Sequence, residues 1–420
     1  MKKQKMYIMF CSMIFAVGML VLVTGSVTKA ATTPEATIGD VEYETLQEAL
    51  DDVKWGETVV LKKDITLEES IVISGCYGNY FKYTGAWPSL DWSKVSERIT
   101  IDLNGNTISF NRNRNSQMSK YIPALVIMDL IDDVTIKNGT LKNIGTWNKD
   151  ATTEDLLIYR SLEYDGSGFL SSGGEVVLEN VKCYGNVYTD HEGLTIKSGN
   201  YTGCIRNRNG NLRIEGGTFA EKIETSSSMD ISGGIFKNSV CSYNTSVDIY
   251  NGTFCKDMII RNSDIRIMGG TFKSSSKKVP ILTYNTKENS TKLNVMGGTI
   301  YKAKSGEWYQ DKYLASEVKV TGGRFVSAGK KIQTIKVPSV TRKYQKAQLK
   351  KAKRNFYIKA EAKGKISYKV ISGSKYVSVN GKGKVTVKKG TPKGTYKVRI
   401  TAAATSKYEK ETKVIKIVVK

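Results

Sequence analysis

The chain has 420 residues, with 64 lysine or arginine residues against 40 acidic ones, and a formal net charge of +24. Glycine, threonine, serine, asparagine, valine and isoleucine are abundant, which favours strands and turns and argues against a helical protein. The six cysteines show no paired CxxC spacing, which excludes a zinc site of that type and makes a poor disulfide framework. We expect the cysteines to act as small buried apolar residues.

Residues 1–30 have the pattern of a secretory signal peptide. Three early lysines precede an apolar run over residues 6–23, and small residues before Ala31 resemble a cleavage site. The alternative is a retained membrane anchor, because the run is nearly long enough to span a bilayer. No second apolar run follows. We therefore expect a secreted protein, extracellular or associated with the cell envelope, with no transmembrane segment after signal removal.

An amphipathic helix is predicted over residues 43–53, because four apolar residues fall on one helical face, and Gly56 would end it. Such a helix would cap the open end of a solenoid, where strand edges are exposed. The four apolar residues are Leu46, Ala49, Leu50 and Val53.

An insertion dense in aromatic residues follows Cys76. Flat, rigid side chains of this kind can stack on sugar faces. The alternative is a loop that folds over the solenoid and hides its own apolar surface. A second insertion, with Trp308, Tyr309 and Tyr313, allows the same two interpretations. The candidate glycan-binding residues are Tyr77, Tyr80, Phe81, Tyr83, Trp87 and Trp92.

A repeated motif dominates the centre of the chain, with copies such as Ile265-Arg-Ile-Met-Gly-Gly-Thr-Phe272. Apolar and polar residues alternate in each copy, as in a half-buried strand. Most successive copies are 17 or 18 residues apart, and two longer steps suit a coil that tolerates insertions. The motif predicts three inward ladders of apolar residues. They are Leu212, Met229, Val247, Ile265, Leu293 and Val318; Ile214, Ile231, Ile249, Ile267, Val295 and Val320; and Phe219, Phe236, Phe254, Phe272, Ile300 and Phe325.

An outward position between the first two ladders carries charged residues. Stacking should place Arg213 beside Asp230 and Asp248 beside Arg266, and opposite charges on neighbouring strands stabilise a sheet. The alternative is a calcium site at Asp230 and Asp248. The flanking arginines favour an ion ladder, so we expect no cofactor, with calcium as a possibility if the protein is an enzyme.

The predicted cap, the 17- or 18-residue coils and the segment Ile101-Asp-Leu-Asn-Gly-Asn-Thr-Ile108 resemble the pectate-lyase-like right-handed parallel β-helix superfamily. The resemblance covers roughly residues 40–329 and implies an all-β solenoid over 31–329. It says little about function, since the superfamily holds lyases, hydrolases, adhesins and phage proteins. A left-handed hexapeptide helix is the alternative fold, but the aliphatic residue every six positions is missing.

Residues 330–420 have short alternating strands separated by glycines, which indicates a small β-sandwich. The stretch Val377-Ser-Val-Asn-Gly-Lys-Gly-Lys-Val-Thr-Val387 resembles the immunoglobulin-like modules of Firmicutes surface proteins. This segment has 27 basic and three acidic residues, a net charge of +24, whereas residues 31–329 have 33 and 37, a net charge of −4. Two modules with different partners are indicated. Basic residues on or near its strands could form one positive face: Lys365, Lys369, Lys384, Lys388, Lys397 and Arg399.

Catalytic candidates are weak. The single histidine, His191, follows Asp190 and could be a general base, although a solvated turn is the better interpretation. Arg206 and Arg208 could supply an arginine base, but we interpret them as exposed loop charges. The adjacent residues Asp132 and Asp133 precede a predicted strand and are typical of a turn.

We therefore predict a non-catalytic surface protein, a monomer, that binds an acidic polysaccharide or an anionic cell-wall polymer through loops and a basic module. Nucleic acid is not expected as a physiological partner of an exported protein. The alternative is a polysaccharide lyase or glycoside hydrolase acting on an acidic polysaccharide.

Overall fold

Most of the described chain is β-strand, and most of its strands are parallel. A computed structural model describes residues 33–68, 71–73, 98–110, 125–127, 133–144, 156–160, 175–190, 193–273, 279–284, 291–303, 306–311 and 317–420. The predicted signal segment and the aromatic insertion lie outside these residues.

Three columns of stacked parallel strands build the region before residue 330, which is consistent with a parallel β-helix. Each coil contributes one strand to each column, except the last described coil, which has strands only in the first and second. Two long strands, Asp133–Asn143 and Glu175–Tyr184, serve the first and second columns together. The first column also holds Thr58–Leu61, Ile99–Asp102, Gly193–Ile196, Leu212–Ile214, Met229–Ile231, Ser246–Ile249, Asp264–Ile267, Lys292–Val295 and Glu317–Val320. The second also holds Ile65–Leu67, Thr107–Phe110, Gly199–Tyr201, Thr218–Phe219, Ile235–Phe236, Thr253–Phe254, Thr271–Phe272, Thr299–Tyr301 and Arg324–Val326.

The third column forms a separate parallel sheet. Its inward positions alternate between an apolar row and a second buried row, which is polar from Thr189 to Ser242 and apolar at Ile73 and Ile260. The polar side chains bond along the stack: the Asn207 amide donates to Thr189 Oγ1 at 2.9 Å, and the Thr225 hydroxyl donates to Asn207 Oδ1 at 3.3 Å. Its strands are Ile71–Ile73, Leu125–Ile127, Leu156–Arg160, Asn186–Asp190, Ile205–Arg208, Ile223–Thr225, Val240–Tyr243, Met258–Arg261, Ile281–Tyr284 and Tyr309–Asp311.

The predicted ladders stack in register and are buried over most of their length. Ile231, Ile249 and Ile267 lie directly above one another and have no exposed surface. The phenylalanine ladder forms a column of parallel rings from Phe219 to Phe272, with centroids 4.6–5.1 Å apart. One continuous buried cluster therefore runs through the coils along their common axis.

The last coil departs from the prediction. Val318 and Val320 are 36% and 46% exposed, although their counterparts in the preceding coil are buried. Among the described residues, their strand pairs on one side only, with Lys292–Val295. An inward position is buried only when the chain covers it on both sides, and the prediction of burial was therefore wrong for these two residues.

The paired glycines of the repeat have two separate roles. The second glycine adopts a left-handed backbone, for example φ +91° at Gly270, which disfavours any side chain. The first glycine lies against the preceding coil: a Cβ on Gly269 would be 2.0 Å from the carbonyl oxygen of Tyr250. The second position therefore favours glycine, and the first favours it where the coils approach as closely as at Gly269, whereas Asn251 occupies the first position in another coil.

Gly269→Ala is expected to lower the free energy of unfolding by about 1–3 kcal/mol, because the added methyl group overpacks a close contact with the backbone of the preceding coil. Gly381→Ala is the control, since a Cβ there meets no atom within 4 Å. Urea midpoints of the two variants provide the comparison. A Gly269 variant as stable as the control would show that the two coils can move apart to fit a methyl group without loss of stability.

An antiparallel hairpin, Ala36–Ile38 and Val41–Tyr43, and helix α1, Leu46–Asp52, precede the first coil. The helix begins at Thr45, which forms a capping box with Glu48. Leu46, Ala49 and Leu50 of α1 are buried in the same cluster as the coils. The predicted helix is therefore present, three residues shorter at its start and one at its end; its role as a cap stays a prediction.

After residue 330 the chain forms two smaller sheets around a second buried cluster. The four-stranded sheet has the order Thr341–Tyr344, Glu411–Val419, Gly394–Ala402 and Ile366–Ser372. The three-stranded sheet has the order Arg354–Tyr357, Lys384–Val387 and Val377–Val379. A short helix, α2, Lys346–Lys351, connects the first strands of the two sheets. Val398 and Ile415 from one sheet and Val385 from the other share the cluster.

Candidate functional site

The six candidate glycan-binding aromatics all fall within residues 74–97, outside the described residues, and their role stays a prediction. His191 lies outside as well. Asp190 is the last residue of the strand Asn186–Asp190, and its side chain lies outside the description.

Arg206 and Arg208 lie on a strand of the third column, Ile205–Arg208, and the interpretation as loop charges was wrong. Their backbone bonds to the coils on either side, Asn186–Asp190 and Ile223–Thr225. The reason is the buried Asn207 between them, which satisfies its amide inside the coil. Both arginines therefore point outward on a rigid sheet.

Glu224 forms ion pairs with two basic side chains on this outer face. Arg206 Nε donates to its Oε2 at 3.1 Å, and Lys222 Nζ pairs with its Oε1. Burial raises the pKa of Glu224, but the hydrogen bonds and charges of Lys222 and Arg206 outweigh it, so that the pKa lies below its ordinary value. An ionised, doubly paired carboxylate is poorly suited to donate a proton, and a paired guanidinium is poorly suited to take one.

Arg261 lies farther along the same face, between two tyrosines from the coils on either side. Its guanidinium carbon is 5.4 Å from the Tyr243 ring centroid and 5.3 Å from that of Tyr284. Arg208 lies similarly over Tyr188, at 5.8 Å. These are cation–π contacts between residues about a coil apart. Sequence reasoning missed them because stacking, and not nearness in the chain, brings the partners together.

Within the part of the chain that the structure describes, no group of three histidine, cysteine or acidic residues could hold a metal ion. Asp230 and Asp248 are register neighbours, as the calcium alternative required. Both carboxylate oxygens of Asp248, however, accept from the guanidinium of Arg266. This pairing confirms the predicted ion ladder at Asp248. Of the described cysteines, Cys183 and Cys241 are free and buried, as predicted for apolar cysteines, whereas Cys204 and Cys255 are only half-buried.

The strongest concentration of charge is the outer face of the four-stranded sheet, which we call the basic face. Alternate residues of these strands, such as Val398 and Ile415, enter the core, and the others face outward. Lys397 lies directly opposite Lys416, and Lys369 lies opposite Arg399. Like charges placed opposite each other destabilise a sheet. The cations of the basic face are Lys343, Lys369, Lys397, Arg399 and Lys416.

The three acidic residues of residues 330–420 lie away from the basic face. Glu411, at the start of its strand, accepts from Arg324 of the last coil at 2.6 Å. Glu409 accepts from the backbone N–H of Ser327 at 2.8 Å, and hydrogen bonding to Ser327 holds the pKa of Glu409 below its ordinary value. Glu361 bridges to Lys336 through its backbone. Among the described residues, no carboxylate therefore neutralises the basic face.

The structure brings together three of the six basic residues that the sequence singled out: Lys369, Lys397 and Arg399. Lys384 belongs to the three-stranded sheet, opposite Tyr357. Lys365 and Lys388 lie just outside strands. Lys343 and Lys416 were missed, because the sequence does not show which strands become neighbours.

None of the helices in the described ranges is long and apolar enough to cross a membrane. No protein-family model, curated protein or solved structure matches this chain.

Proposed function

We propose that the protein is a secreted, non-catalytic surface protein whose basic C-terminal module attaches a β-helix to an anionic polymer of the cell envelope. The parallel coils support the resemblance to the pectate-lyase-like right-handed superfamily. Two sheets that share one core support the resemblance to immunoglobulin-like modules. A rigid solenoid on a basic module suits the presentation of loops at a surface.

The observation that carries the proposal is the basic face. Two like-charge pairs oppose each other across its strands, and its acids are engaged elsewhere. Such pairs cost stability unless an anion compensates them, and departures of this kind from stable packing are typical of functional surfaces. An anionic partner removes the repulsion and gains the attraction.

Retention of the full chain on purified cell walls is expected at about 0.1 M salt and is expected to disappear near 1 M. Screening shortens from ~10 Å to ~3 Å over this range, so contacts between exposed charges weaken. A pull-down across the salt series measures it. Retention that ignores salt, or no retention at the lowest salt, would contradict electrostatic attachment.

The enzymatic alternative finds less support on the outer face of the third column. Glu224 is the one carboxylate among the side chains described there, and it is held ionised by two cations. An acid–base pair needs two groups whose proton affinities differ. Release of unsaturated oligosaccharides from an acidic polysaccharide, abolished by Arg206→Ala, would overturn the non-catalytic proposal.

A further inference from the structure

The cations of the basic face form one continuous diagonal. Lys343 on the first strand is opposite Val418, and Lys416 lies two residues before Val418 on the second strand. Lys416 is opposite Lys397 on the third strand. Strand twist aside, Lys343 and Lys416 are therefore diagonal neighbours, one strand across and two residues along, and Lys416 and Lys397 are one step apart across the strands.

The diagonal continues to the fourth strand. Arg399 lies two residues after Lys397, and it is opposite Lys369. Steps across and along a sheet are about 4.8 and 6.8 Å, so the five cations extend over roughly 20 Å. We call this line of cations the stripe.

Uncharged side chains border the stripe on both sides. Thr401 and Ser367 occupy the rung beyond Arg399 and Lys369, and Thr395 occupies the rung of Lys343. The charge is thus confined to a line one residue wide and is not spread evenly over the face. A line of this shape matches an extended chain better than it matches a broad or globular partner.

The residue types also restrict the partner. Four of the five cations are lysines, which are mobile point charges able to bind phosphate oxygens without a fixed geometry, whereas the planar fork of arginine suits fixed, bidentate pairs with carboxylate or phosphate. The tyrosines of these four strands face the core: Tyr396 is buried in the cluster, and Tyr344 and Tyr368 pack against it. No aromatic ring on this face could therefore stack on a sugar.

We propose that the stripe binds one extended chain of a phosphodiester polymer, which crosses all four strands along the diagonal. This proposal rests on the attachment function above and names its partner. Each exposed ion pair contributes little by itself, so affinity depends on how many cations one chain engages. A ligand shorter than the stripe should bind poorly.

The test uses the full chain and inorganic polyphosphate of defined lengths as the probe. The stripe variant is Lys369→Gln, Lys397→Gln and Lys416→Gln. The control variant is Lys359→Gln, Lys382→Gln and Lys389→Gln, which removes the same charge from exposed positions outside the four-stranded sheet. Titration at low salt gives Kd, and thermal unfolding verifies the fold. Loss of the like-charge pairs should leave the melting temperature of the stripe variant no lower than that of the control.

The stripe variant is expected to bind long polyphosphate about 30-fold more weakly than the unchanged chain, and the control less than about threefold more weakly. Affinity should rise steeply with polymer length up to roughly 20 Å and slowly beyond it. If the two variants lost affinity equally, binding would depend on net charge and not on the stripe, and the proposal would be overturned. Tighter binding of polygalacturonate than of polyphosphate would assign the face to an acidic glycan instead. No binding of either polymer would defeat the attachment function itself.

Discussion

Replacing Ile249 with aspartate is expected to lower the free energy of unfolding by about 4 kcal/mol or more. Ile249 has no exposed surface and lies between Ile231 and Ile267 in the stack. The added carboxylate would be buried without a partner, or the coil would open to hydrate it. Urea denaturation followed by circular dichroism measures the loss.

Ile235→Asp is the matched control, because Ile235 belongs to the same set of coils but points outward and is 45% exposed. Its midpoint should lie close to that of the unchanged chain. If Ile249→Asp unfolded at the same urea concentration as this control, the inward ladder would be wrong.

Phe254→Ala is expected to cost about 3–5 kcal/mol. The ring of Phe254 is stacked between Phe236 and Phe272, at centroid distances of 4.7 and 4.6 Å. Truncation removes its buried area and leaves a cavity with a ring on either side. The midpoint of thermal or urea unfolding reports the change.

Tyr250→Ala serves as the comparison for this variant, since Tyr250 is 51% exposed on a neighbouring turn. We expect it to change stability little. A Phe254 variant that lost no more than the Tyr250 variant would mean that the rings stack without contributing to the fold.

Two of the three strand columns could be predicted from the sequence, because their coils repeat the same alternation around a glycine pair. The inward residues Ile231 and Ile249 are apolar and their neighbours polar, so period and direction are both visible. The exposed end of the ladder, at Val318 and Val320, could not be predicted. Burial there depends on whether the chain packs another layer beyond the last repeat, and the repeat pattern does not show this.

The third column was missed because one of its two inward rows is largely polar. Asn207 and Thr225 are buried and bond to each other along the stack, so the strand lacks the apolar alternation that identifies its neighbours. The outward Arg206 and Arg208 then read as loop charges. A buried row of asparagine, threonine and serine has the same residue types as a turn, so composition does not distinguish the two.

The sequence predicted that a positive face exists, but it identified only some of the residues that form it. Composition shows that residues 330–420 are strongly basic, and alternation shows that Lys397 and Arg399 share a face. Strand order is a long-range property, which places Lys416 and Lys343 beside them although they are distant in the chain. The diagonal arrangement therefore depends on topology that local patterns do not contain.

The regular step of the coils has an evolutionary consequence. The stretch from Phe236 to Phe254 carries the chain once around the axis and returns it to the same register in the second column. Duplication or loss of such a segment in the gene would leave the three columns continuous, since each coil bonds to its immediate neighbours. The distance between the N-terminal hairpin and the basic module can thus change by a whole coil, ~4.8 Å, in a single genetic event, without any new core residue being selected.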